Sequence, residues 1–188
     1  ITSRRNFLAQ VAATASAFAV TNSARIFAAE QPVSKKHDWN NQRFSTSDKK
    51  FVPVMITPFQ QNKKIDYDAL ARLIDFYMAS GAKGFFANCL SSEMYHLDEE
   101  ERLALTRYVV NRVNGALPVV ATGSFGNSIE QRAAFSRKIY DTGVNGVILI
   151  TSHFANKDEN DTVLINNLEK FFSLTGNIPM GTYECPSP

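Results

Sequence analysis

The sequence has little of several things. It contains two cysteines, one tryptophan, nine glycines and seven prolines in 188 residues. So few cysteines exclude a disulfide scaffold, and so little glycine and proline exclude collagen-like and low-complexity chains. No stretch of about 18 consecutive apolar residues occurs, which excludes a bundle of membrane-spanning helices. An excess of one charge is missing too, since 20 basic residues face 18 acidic ones. Residues 1–29 hold Arg4, Arg5 and Arg25 and no acid, so the remainder carries 17 basic and 18 acidic residues. A body this near neutrality gives no electrostatic reason to expect nucleic acid or anionic lipid as partner. No His, Cys or carboxylate pair has metal-ligand spacing, and neither a metal nor another cofactor is expected. What is there, 44% apolar and 20% charged residues, suits one globular domain of about 100–200 residues.

The chain opens Ser3-Arg4-Arg5-Asn6-Phe7-Leu8, and a mildly apolar run to Val20 follows, interrupted by Gln10, Thr14 and Ser16. This resembles a twin-arginine export signal, with a charged start, a short apolar core and small residues near Ala28 and Ala29. Residues 1–29 are therefore expected to direct export to the periplasm or another extracytoplasmic place, with no membrane attachment after the signal is removed. An amphipathic N-terminal helix, general secretion or a retained anchor are the competing readings. Residues 30–50 are polar and aperiodic and read as a linker. Export would place Cys89 and Cys185 in an oxidising compartment, but each follows a predicted strand three repeats from the other. Two free, partly buried thiols are expected.

Residues 51–188 repeat. Five apolar runs, Val52–Thr57, Gly84–Asn88, Leu117–Thr122, Gly146–Thr151 and Ile178–Tyr183, start 32, 33, 29 and 32 residues apart. Helix signals separate them: Asp66 as a cap before the Leu70, Leu73, Ile74, Tyr77, Met78 stripe; Asp98 with Glu101 in capping-box spacing; Ser128 with Gln131; and a fourth start near Asp158 or Asp161. Gly81, Gly115, Gly143 and Gly176 stop the four helices.

Strand runs this apolar belong to a parallel sheet covered by helices. A doubly wound nucleotide-binding sheet would want a Gly-rich phosphate turn, and Gly123-Ser124-Phe125-Gly126 lacks its spacing. That weakens the doubly wound reading without removing it and favours a (β/α)8 barrel, which needs roughly 250 residues. From Val52 the chain supplies 137, enough for four units and a fifth strand, so it is expected to be the N-terminal part of a barrel truncated after strand five.

The strand ends carry the chemistry. They read Thr57-Pro58-Phe59, then Asn88-Cys89-Leu90-Ser91-Ser92-Glu93, Gly123-Ser124, Thr151-Ser152-His153-Phe154 and Tyr183-Glu184-Cys185-Pro186. In that order and at barrel spacing they resemble the dihydrodipicolinate synthase/N-acetylneuraminate lyase family of pyruvate-handling class I aldolases. The resemblance implies a strand-six lysine that forms a Schiff base with a 2-oxo acid, a strand-five tyrosine that moves protons, and a strand-two loop that binds the ketoacid carboxylate. A homo-oligomer is implied for the full-length product. Tyr183 matches the motif tyrosine, with Pro186 in place. Ser91 matches the second hydroxyl residue of the carboxylate loop and Glu93 its glutamate. Leu90 stands where the first hydroxyl belongs, so only its backbone N–H could serve. Cys89 and Ser92 replace two glycines, Glu184 and Cys185 depart from the motif after the tyrosine, and Phe154 stands where the synthases offer a tyrosine to the neighbouring subunit. Of the hydroxyl relay only Tyr183 is kept, so the resemblance does not carry the synthase activity itself.

The residue types fit that chemistry. A tyrosine can shuttle a proton beside a positive iminium, and Ser91 with adjacent backbone N–H groups can hold a carboxylate. Taken alone, Tyr183 reads as a packed aromatic, Ser91 as a loop cap, Glu93 as a loop-holding residue, and His153 as a surface or subunit-contact residue; Glu93, His153 and Thr57 are accessory candidates. No lysine in the chain ends an apolar strand, and one further repeat puts strand six near position 210. The expected function is a lyase or aldolase acting on a pyruvate-like 2-oxo acid, this piece alone being inactive. The alternative is a non-catalytic, exported, barrel-derived binding protein for a small molecule.

Overall fold

The computed structural model describes residues 50–184, which belong to one compact unit, Ser47–Pro188. The export-like segment, nearly all of the linker, Cys185 and Pro186 lie outside the described residues.

Four strands, β1 (Phe85–Ala87), β2 (Val119–Thr122), β3 (Gly146–Ile150) and β4 (Met180–Tyr183), pair in chain order and in parallel. Helix α1 (Tyr67–Ala79) precedes β1, while α2 (Glu99–Val113), α3 (Ile129–Tyr140) and α4 (Asp161–Thr175) link successive strands. The run Val52–Thr57 was expected as a full strand. It lies parallel beside β1, with Phe86 N–H donating to Pro53 O and Met55 N–H to Phe86 O, both at 3.0 Å, but forms only the Val54↔Phe86 bridge. Pro53 has no N–H to extend the ladder, a property that confines proline to sheet edges.

The caps follow the expected pattern with two shifts. Asp66 accepts from Ala69 N at 2.9 Å, and Asp98 and Glu101 form a reciprocal box at 2.8 and 3.0 Å. At α3, Ser128 accepts from Gln131 N, but the Gln131 side chain reaches back to Asn127 N–H rather than to the cap. Helix α4 starts at Asp161, one of the two expected starts, and is capped by Asn160. The side-chain oxygen of Asn160 satisfies Val163 N–H, and Asp161 then occupies the first helical turn, where a carboxylate suits the helix dipole.

One face of the sheet is sealed by the helices. Phe85, Ala87, Val119, Ala121, Val147 and Leu149 point into that layer and are each 3% exposed or less. Register sets the face of Val119, because it pairs with Phe85 while Val120 pairs with Phe86. Gly123 is hemmed in from two sides: a Cβ there would stand 2.4 Å from Val147 Cγ1 of β3 and 3.3 Å from Ser136 Cα of α3, and Ser136 Oγ donates to Gly123 O at 2.8 Å. Gly123 is thus a packing glycine in a βα turn. The opposite face is apolar but open, with Val54 and Ile56 46% and 52% exposed. Sequential order without a switch point, with helices on one face, is the repeating pattern of a (β/α)8 barrel rather than of a doubly wound sheet.

Candidate functional site at the strand C-termini

The candidate residues meet at the C-terminal end of the sheet. After β1 the chain tightens into a single 3-10 turn, Leu90–Ser92, and Glu93 closes it in the left-handed region (φ 57°). Ser92, wholly buried, holds this turn: its hydroxyl donates to Met55 O at 2.7 Å and accepts from Cys89 N–H at 3.2 Å. Thr57, 8% exposed, donates to Ser92 O at 2.9 Å, and Cys89 Sγ approaches Met55 O at 3.4 Å. Thr57 and Ser92 therefore fasten the β1 turn to the Pro53–Thr57 segment. Cys89 is a free thiol and fully buried, where partial burial was expected.

That clamp leaves Ser91 exposed at the tip of the turn, and Leu90 half-buried beside it. Tyr183 stands across from them on β4, in register with Ile150 of β3. Its ring meets Phe86 edge-on at 5.3 Å, and with Leu90, Tyr95 and Phe125 it packs on the buried pair Met94 and Ile150. The fold thus brings Tyr183 and the Leu90–Ser92 turn to one apolar cluster. Glu93 holds the turn through its backbone, its N–H donating to Leu90 O at 3.0 Å, while its carboxylate is exposed, 4.0 Å from an exposed His96, and the buried Ser92 hydroxyl makes the side-chain bonds of the turn. Phe154 is 1% exposed and packs on Phe171 at 5.0 Å, so it is not offered outward to a neighbour.

His153 closes the 3-10 turn Thr151–His153 after β3. Its Nδ1 lies 2.6 Å from Ser124 O and its Nε2 3.3 Å from the Tyr95 hydroxyl. A carbonyl only accepts, so Nδ1 carries the proton and Nε2 accepts from Tyr95. Burial lowers the pKa of His153 from its usual value, Arg132 and Arg102 lower it further, and only the Ser124 carbonyl opposes them. Ser124, itself wholly buried, accepts from Ile150 N–H at 2.9 Å. Ser92, Tyr95 and Ser124 were missed as structural parts of this region. Ser92 carried a signal in standing where the resemblance places a glycine; Ser124 and Tyr95 carried none beyond their neighbours Gly123 and His96.

Two buried polar atoms here, Asn88 Oδ1 and Thr122 Oγ1, have no hydrogen-bond partner among the described residues, although Asn88 Nδ2 donates to Thr122 O at 3.1 Å. All the lysines among the described residues are exposed, and Lys138 and Lys170 pair with Glu99 and Glu130 on the helices. None is placed to attack a carbonyl at the strand ends.

A parallel βα barrel sheet with a tyrosine and a hydroxyl-bearing turn at its strand C-termini defines a class of barrel proteins whose chemistry sits on the βα loops. Comparison with known proteins narrows the class. The model of the dihydrodipicolinate synthetase family matches residues 48–186, and the chain belongs to that family. It is 33% identical to the 4-hydroxy-tetrahydrodipicolinate synthase of Oceanobacillus iheyensis over 137 residues, which is 73% of this chain and 45% of that protein. The Bacillus subtilis enzyme of the same name is 33% identical over 100 residues, 53% of this chain and 34% of that protein. A crystal structure of a dihydrodipicolinate synthase superposes with a TM-score of 0.64 at 31% identity, covering 72% of this chain and 45% of that one. The chain thus spans less than half the length of these relatives.

Proposed function

We propose that this chain contributes the N-terminal βα units, and part of the site, of an exported lyase or aldolase that acts on a pyruvate-like 2-oxo acid through a lysine Schiff base. Family membership supports the reaction class. The observation that carries the site is the meeting of Tyr183 with the Leu90–Ser92 turn on one cluster at the strand ends. In this reading the exposed Ser91 hydroxyl and the backbone N–H groups of the turn hold the ketoacid carboxylate by charge-assisted hydrogen bonds. The nucleophilic lysine lies beyond Pro188. Its amine adds to the ketone and water leaves, and Tyr183 donates and recovers the proton that this exchange moves. Homo-oligomeric assembly and export directed by Arg4 and Arg5 belong to the same proposal.

A second reading, a non-catalytic exported binding protein, is favoured by one feature. Leu90 fills with an apolar side chain the place beside Tyr183 where a hydroxyl would continue a proton relay. Treating the full-length gene product with pyruvate and borohydride separates the two. One lysine carrying a reduced pyruvate supports the enzyme. Saturable pyruvate binding with no adduct supports the binding protein. Neither binding nor adduct rejects both. For export, Arg4→Lys with Arg5→Lys should leave the precursor in the cytoplasm, and unchanged export rejects the twin-arginine part.

A further inference from the structure

Three strand-end loops converge on one imidazole. His153 comes from the loop after β3, Ser124 from the loop after β2 and Tyr95 from the loop after β1. We propose that His153 is a positioning residue: with its single ring proton on Nδ1, it anchors Tyr95, and through Tyr95 the Leu90–Ser92 turn, to the ends of β2 and β3.

Four observations carry this. The Nδ1–Ser124 O contact of 2.6 Å is the shortest at the ring and fixes its orientation, and Ser124 is itself tied to β3 through Ile150 N–H. Nε2 is left as an acceptor aimed at the Tyr95 hydroxyl. Tyr95 cannot shift without the turn, because Glu93 N–H donates to Leu90 O and His96 N–H to Glu93 O, while Leu90 and Tyr95 share the Met94–Ile150 cluster. Arg102 steadies the same stretch from α2, donating through Nε to Met94 O at 2.7 Å with its guanidinium 4.0 Å above Phe125, and Phe125 packs edge-on against both Tyr95 and His153. The ionisable groups around His153 are Tyr95 and the cations Arg102 and Arg132; the two cations and burial favour the neutral ring that the tether requires.

The kinetic part of the test rests on the reading of the turn as a 2-oxo acid binder; the spectroscopic part does not. In the full-length protein, Tyr95→Phe removes the hydroxyl, while His153→Asn keeps an N–H near Ser124 O but does not reach Tyr95. Each single variant should raise KM for pyruvate about three- to tenfold, the worth of one lost hydrogen bond, with kcat within about twofold of wild type. The double variant should be no worse than the worse single. Additive KM effects, or a fall in kcat at constant KM, overturn the positioning role. Nitrogen-15 spectra of the unliganded protein should show a neutral, Nδ1-protonated His153 whose Nε2 signal moves in Tyr95→Phe. An Nε2-protonated ring, or an Nε2 signal indifferent to Tyr95→Phe, overturns the tether whatever the kinetics. The expected spectra without pyruvate turnover in any variant, wild type included, uphold the tether and overturn the proposed function instead.

Discussion

Ser91 and Ser92 are neighbours with opposite surroundings, and substituting each by alanine tests whether the clamp on the β1 turn is real. Ser92→Ala deletes a hydroxyl that donates to Met55 O at 2.7 Å and accepts from Cys89 N–H at 3.2 Å. Both partners are buried, Met55 at 2% exposure and Cys89 at 0%. Cys89 N–H then loses its partner, at a cost of about 1–3 kcal/mol for an unsatisfied buried donor. Met55 O keeps the weaker contact from Cys89 Sγ, so its loss is held to about 1 kcal/mol. The Thr57 bond to Ser92 O runs to the backbone and survives. The sum is about 2–4 kcal/mol. Ser91→Ala, at an exposed position, should stay within about 0.5 kcal/mol. Urea unfolding of the full-length protein reads both, with the slope unchanged so that the midpoints report stability. A Ser92→Ala loss below about 0.5 kcal/mol, or equal losses at the two positions, would refute the clamp. Catalytically the order should reverse: Ser91→Ala should raise KM for the ketoacid while leaving stability intact.

Tyr183→Phe should lower kcat by about 10²–10⁴, the usual worth of a positioned acid–base group, while borohydride still traps the pyruvate adduct; full activity refutes the role of Tyr183. His153 is titrated more easily in the unfolded chain than in the folded one, because its folded pKa is lowered. Its contribution to stability is therefore complete above about pH 6.5 and is lost as pH falls through the lowered folded value, at up to about 1.4 kcal/mol per pH unit; the slope should flatten in His153→Asn, and an equal slope in both rejects the linkage. Gly123→Ala, with its Cβ driven to 2.4 Å from Val147 Cγ1, should cost about 1–3 kcal/mol by overpacking, and a neutral outcome by thermal melting means that Val147 of β3 is not held against the Gly123 turn. Residues 50–188 expressed alone should associate rather than melt as a monomer, since Val54 and Ile56 are half-exposed and the outer edge of β4 has no strand partner among the described residues; a monomer with a sharp transition refutes this.

Much of the fold was legible because its signals are local. A 30-residue beat of apolar runs and capped helices needs no tertiary knowledge, and the Asp66, Asp98 and Ser128 caps appear where the sequence puts them. What local signals do not contain is register. Val119 and Val120 are chemically identical, and only the pairing Phe85↔Val119 and Phe86↔Val120 sends the first into the helix layer and the second to the open face. The same limit explains the Val52–Thr57 run. Its apolarity reads as a strand, but the missing N–H of Pro53 decides how much ladder can form.

The site divides along the same line. Tyr183 and Ser91 stand out in the sequence by motif context alone, and the fold brings Tyr183 and Leu90, the neighbour of Ser91, onto the Met94–Ile150 cluster. Ser92, Tyr95 and Ser124 do not stand out, because the bonds they make to Met55, His153 and Ile150 span 37, 58 and 26 residues. Such bonds exist only once β1, β2 and β3 are laid side by side. Glu93 shows the converse limit: a motif position suggested that its side chain holds the turn, yet only its backbone does so, and the side-chain bonds come from the buried hydroxyl one residue earlier. In a turn where glycine would leave backbone groups to be satisfied elsewhere, Ser92 satisfies them itself, and the neighbouring carboxylate is released to solvent. A serine at position 92, where the resemblance places a glycine, is therefore informative in its own right. It exchanges backbone freedom for a fixed hydrogen bond, which makes the β1 turn of this chain more rigid, and its geometry more dependent on a single side chain, than a glycine turn would be.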